Sequence, residues 1–100
     1  MRRGTTPTNT FSVPLDLTGA TIYISYEQDG KVVVEKTGTD ITVATDSLTV
    51  KLTQNDTLGF HPGKVNIQVR YVDSFGTADA SQIITTSFER IIKDGEIAHV

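Results

Sequence analysis

The chain has 100 residues and a formal net charge of −3, a size that makes one domain and leaves no room for a second. It has no cysteine, which excludes a disulfide framework, a thiolate metal site and a Cys nucleophile, and which fits a reducing cytoplasm. Acids and bases are scattered, without the basic stripe that phosphate neutralisation requires, so neither nucleic acid nor an anionic membrane is an expected partner.

The chain opens Met1-Arg2-Arg3-Gly4-Thr5-Thr6-Pro7-Thr8. Met1 reads as an initiator, so the chain is expected to be complete. The arginines are not followed by the apolar stretch of a signal peptide or twin-arginine leader, and no later run reaches the roughly 20 apolar residues of a membrane span. Residues 1–8 are polar and interrupted by proline, and predict an extended arm. Such an arm is either disordered or strand-competent at a neighbour's sheet edge.

From there the pattern is period two. Composition agrees, since Thr, Val and Ile number 16, 10 and 9 against five each of Leu and Ala, and β-branched side chains suit a pleated surface. Asn9–Val13 predicts a first strand, stopped by Pro14. Thr21–Gln28 follows, with Ile22, Ile24 and Tyr26 on one face and Tyr23 on the other. Asp29-Gly30 predicts a type I′ hairpin turn into Lys31–Lys36, where Val32-Val33-Val34 suggests partial burial on both faces. Ile41–Ala44 and Leu48–Thr53 form a second hairpin around Thr45-Asp46-Ser47. Thr53 reads as an N-cap with Asp56 three residues on, so residues 54–59 predict one helical turn crossing from one sheet to the other. Lys64–Asp73 is the longest strand, with Val65, Ile67, Val69 and Tyr71 inward. After the Ser74-Phe75-Gly76-Thr77 turn the last strands run from Ala78 to Ile92, Asp94-Gly95 turns again, and residues 96–100 form a tail. About seven short strands at this spacing predict an all-β, immunoglobulin-like antiparallel sandwich over residues 9–95.

Site chemistry is sparse. His61 and His99 are far apart and read as surface histidines, not metal ligands. No serine of the six lies in a nucleophile elbow, and a hydrolase would need His61 to meet a serine and an acid in the fold. The aspartates at 29, 40, 46, 73 and 94 sit in turns, where their side chains bond the backbone. No cofactor, metal or catalytic residue is expected. The candidate interaction residues are Arg2 and Arg3, the only basic cluster, together with Tyr23 and Phe75, the aromatics most open to solvent on this reading.

The opening residues, followed by Phe11 and Pro14-Leu15-Asp16-Leu17, resemble small prophage proteins of Gram-positive gut bacteria. The resemblance continues through Leu52-Thr53-Gln54-Asn55-Asp56-Thr57-Leu58-Gly59-Phe60, Lys64-Val65-Asn66-Ile67-Gln68-Val69-Arg70 and Arg90-Ile91-Ile92-Lys93-Asp94-Gly95. More distantly, the chain is similar to the immunoglobulin-like N-terminal domain of phage baseplate upper proteins. This resemblance implies a non-enzymatic structural or assembly subunit of a phage or prophage particle, in its tail, baseplate or neck. The partners it implies are other virion subunits or further copies meeting at sheet edges or termini, first in the bacterial host cytoplasm and then in the virion. The alternative expectation is a carbohydrate- or receptor-binding sandwich presenting aromatics near Tyr23 or Phe75.

Overall fold

The structure is a computed structural model that describes residues 1–13, 16–81 and 83–98; Pro14, Leu15 and His99 therefore lie outside the described residues. Among the described residues the strands are β1 (Thr8–Ser12), β2 (Thr21–Gln28), β3 (Lys31–Thr37), β4 (Ile41–Val43), β5 (Ser47–Lys51), β6 (Gly63–Val72), β7 (Ala78–Ala80) and β8 (Ile84–Phe88). A 3-10 turn, Gly38–Asp40, precedes β4, and a five-residue helix, α1 (Gln54–Leu58), joins β5 to β6.

Two antiparallel sheets result. One has the order β1-β5-β4; the other runs β3-β2-β6, with β7 and β8 sharing the far side of β6. With β1 to β6 taken as strands B, C, C′, D, E and F, and β7 with β8 as G, this is the B-E-D and C′-C-F-G arrangement of an immunoglobulin-like sandwich. The expected fold class is therefore present, with the last strand split in two. At the split Ser81 still pairs with β6: its N–H donates to the Val69 carbonyl at 2.8 Å, while its hydroxyl accepts the Val69 N–H at 3.0 Å.

Alternation decides which side chains go inside. Ile22, Ile24 and Tyr26 of β2, Val34 of β3, Val65, Ile67 and Val69 of β6 and Phe88 of β8 face Phe11, Ile41, Leu48 and Val50 of the other sheet. Leu17, Leu52 and Phe60 close the core from the connections. The Asp29-Gly30 turn has positive φ at both residues (54° and 77°), as a type I′ turn needs. The valine run departs from expectation. A bulge between Tyr26 and Glu27 sets Val34 opposite Tyr26 and Val32 opposite Glu27, so Val33 has no cross-strand partner. Val34 is buried and Val33 half-buried, but Val32 is exposed on an edge strand, so the two-sided burial expected there does not occur.

The final strand ends at Phe88, short of the expected Ile92. Beyond it the Glu89 N–H donates to the Met1 carbonyl at 2.8 Å, the Arg3 N–H donates to the Glu89 carbonyl at 3.2 Å, and Arg2 bridges Glu89 in parallel. The N-terminal segment thus lies on the outer edge of β8. Gly4 then turns with φ of 71°, and a Cβ there would stand 3.0 Å from Ile91 Cδ1. Past Gly4, the Thr5 carbonyl accepts the buried Thr57 hydroxyl at 2.8 Å and the Pro7 carbonyl accepts the Leu52 N–H at 2.9 Å. The segment passes in this way from one sheet to the other.

Candidate interaction surface

The two outer faces of the sandwich differ in chemistry. That of β1-β5-β4 presents Thr8, Thr10, Ser12, Thr49 and Lys51, with Thr10 and Thr49 hydroxyls 3.4 Å apart across the strands. This is an ordinary solvated face. That of the larger sheet presents Tyr23, Val32, Val72 and Ile83, exposed by 41, 56, 43 and 62 %. Ser25, Glu27, Glu35, Asn66, Gln68 and Arg70 lie among them. Two shallow depressions adjoin here, sharing Ser25 and Val32 in their lining. Exposed apolar side chains interspersed with polar groups distinguish this face from the solvated one and make it the candidate contact surface.

Register fixes the charges on this face. Arg70 of β6 is paired with Tyr23, and Glu35 of β3 is paired with Ser25, so the two charges flank β2 diagonally. With strands about 4.8 Å apart and about 3.4 Å of rise per residue, their Cα atoms are about 12 Å apart. Among the described residues, neither side chain has an ion-pair or hydrogen-bond partner within the chain. The ion pairs elsewhere, Arg2–Glu89, Arg3–Asp94, Lys36–Asp56 and His61–Asp29, all lie off this face.

Of the residues singled out in the sequence, only Tyr23 is on this surface. Phe75 is 92 % exposed at the tip of the β6–β7 turn, which is braced by the Asp73 carboxylate accepting the N–H groups of Phe75 and Thr77 at 2.9 Å each. Arg2 pairs with Glu89 at 2.8 Å on an exposed edge. The Arg3 guanidinium is turned inward: Nε donates to the Phe60 carbonyl, Nη2 to the Leu58 carbonyl at 3.2 Å, and Nη1 to Asp94 at 3.1 Å. It satisfies carbonyls at and just beyond the end of α1, where a cation also complements the helix dipole. Arg70, Glu35, Val32, Val72 and Ile83 were not singled out. Val72 gave a usable signal, an apolar residue in the outward series Asn66, Gln68, Arg70.

His61 does not assemble a hydrolytic site. Its Nε2 bonds the Asp29 carboxylate and its Nδ1 lies 3.0 Å from the Pro62 carbonyl, both of them acceptors. Both contacts are made to acceptors, which the protonated ring satisfies, and among the described residues no serine bonds the His61 ring. The hydrogen bond to Asp29, then that to Pro62, hold the His61 pKa above its ordinary value. Buried Gln28 fixes the backbone below, donating to the His61 carbonyl at 2.8 Å and accepting its N–H at 2.9 Å. An NMR titration is expected to show His61 losing its proton above pH 6.5, and Asp29→Asn is expected to bring the midpoint down towards that value. An unchanged midpoint in the variant would remove the pairing.

A cleft of about 150 Å³ opens between β1 and the β7–β8 junction, lined by Phe11, Val13, Leu17, Val69 and Ile84 with Tyr71 and Asp79 among its polar groups. It is well below the roughly 300–1,000 Å³ of small-molecule sites. Among the described residues no group of three or more His, Asp or Glu is placed to hold a metal ion, and no helix is long and apolar enough to cross a membrane.

No protein-family model matches the chain. Searches of curated proteins and of solved structures likewise return no match.

Proposed function

We propose that this chain is a non-enzymatic structural or assembly subunit of a phage or prophage particle, in its tail, baseplate or neck. The observation that carries the assembly role is the outer face of the larger sheet, where exposed apolar side chains lie beside opposite charges with no partner among the described residues. Other charged groups, including Arg3, Lys36 and Asp56, brace the fold. The particle itself rests on the resemblance to small prophage proteins, and it places the chain in the host cytoplasm during assembly and then in the virion.

The test is mass spectrometry of particles purified after inducing the lysogen that carries the gene. The chain is expected in the particles at a fixed, multiple-copy ratio to the major tail or capsid protein. Its absence from purified particles overturns the proposal. Carbohydrate binding is less well supported, because the two close ring pairs, Tyr26–Phe60 and Phe60–Phe88, are both in the core, and neither exposed ring, Tyr23 or Phe75, stacks on another.

A further inference from the structure

We propose that the outer face of the larger sheet binds a second copy of this chain, related by a two-fold axis lying in the plane of contact. This inference rests on the assembly reading above and names the partner of that surface.

A face that binds its own copy must be complementary to itself, because each residue meets whatever the rotation brings over it. The arrangement of charge here meets that condition. Arg70 and Glu35 flank β2 diagonally, so the midpoint between them falls on β2 at the level of Ile24, between outward-facing Tyr23 and Ser25. A two-fold axis in the contact plane, through that point and perpendicular to the Arg70–Glu35 line, sets Arg70 of each copy over Glu35 of the other. Two equivalent ion pairs form from groups that have no partner among the described residues. Tyr23 lies beside the axis and packs against its counterpart, which supplies the aromatic centre usual in such contacts. The other sheet offers no equivalent, since its outer face is threonine, serine and lysine.

Size sets the strength. Four strands abreast, over roughly 20 Å of strand, give a footprint of about 400 Å² per copy, half of the ~800 Å² that each partner gives to a standard interface. The contact is therefore weak and reversible, at the transient end of the size classes. In a particle, where neighbouring subunits hold copies together, a high effective concentration supports it.

Sedimentation equilibrium of the full chain from about 5 µM to 1 mM is expected to show a monomer–dimer equilibrium in this range. Arg70→Glu and Glu35→Arg, each of which juxtaposes like charges twice per dimer, are expected to weaken association by at least about tenfold. The double reversal, R70E with E35R, is expected to restore it to within about threefold of the parent. Both residues are exposed and unpaired in the fold, so unchanged melting temperatures will confirm that the variants remain folded. A parent chain that stays monomeric to about 1 mM, or a double reversal no stronger than the singles, overturns the proposal. A chain present in particles but monomeric in solution removes this inference and leaves the assembly role. A charge-reversible dimer absent from particles does the opposite.

Discussion

Phe60→Ala is expected to lower stability by about 3–5 kcal/mol, the range for truncating a fully buried aromatic. Phe60 is 1 % exposed although it belongs to no strand or helix. Its ring stacks on Phe88 of β8 at 4.4 Å and 8°, and meets Tyr26 of β2 edge-on at 6.4 Å and 65°. Its carbonyl receives the Arg3 guanidinium, so the same residue fastens the N-terminal segment to the end of α1. Removing the ring costs its burial, opens a cavity and loses aromatic contacts worth about 0.5–1.5 kcal/mol each. Since 1 kcal/mol moves the melting point of a domain this size by about 4–8 °C, the fall should exceed about 12 °C. Phe60→Leu keeps most of the volume and should lose clearly less. Urea unfolding of the two variants measures both effects. A loss under about 1 kcal/mol for the alanine variant would mean that the stack does not hold the core.

Phe60 also marks where the sequence stops being legible. The strand cores were readable because burial on one face forces alternation: Ile22, Ile24 and Tyr26, or Val65, Ile67 and Val69, declare their face by period alone. The hairpin turn and the helix were readable from local chemistry, positive φ at Asp29-Gly30 and a Thr53–Asp56 capping box. Phe60 lies in Gly59-Phe60-His61-Pro62-Gly63, which reads as a turn, and nothing local shows that its ring enters the core. The exposure of Val32 depends on a bulge, a property of two strands together. Arg3 and Arg70 illustrate the same limit for the surface. The twin arginines stand out in the sequence, yet Arg3 is taken up by carbonyls 55 and 57 residues away. Arg70 looks like an ordinary outward residue until register sets it diagonally across β2 from Glu35. Alternation identifies a face; it does not reveal which charges on that face lack partners.

Asp56→Ala is expected to cost about 2–3 kcal/mol near neutral pH, because one carboxylate serves two structures. It completes the capping box of α1, accepting the Thr53 N–H at 2.9 Å while the Thr53 hydroxyl accepts its own N–H at 3.0 Å. It also pairs with Lys36 of β3 at 2.7 Å, with both side chains largely buried at 15 and 19 % exposure. The variant keeps the Thr53 cap and loses only the reciprocal bond, which costs less than the ~1 kcal/mol of a whole cap, and a largely buried ammonium left without its partner adds the larger part. Burial pushes the Asp56 pKa up, but the Lys36 and Thr53 bonds together outweigh it and hold the group below its ordinary 3.8. A folded value below the unfolded one means that the stabilisation is fully present above the unfolded pKa and is lost as pH falls through the folded value. The stability gap between the parent chain and D56A should therefore be constant from about pH 7 to pH 5 and shrink below about pH 4. Urea unfolding at about pH 7 and pH 2.5 measures it. A Lys36→Met and D56A cycle should show coupling of about 1 kcal/mol. A gap of equal size at both pH values would show that the carboxylate's charge does not hold α1 to the edge of the sandwich.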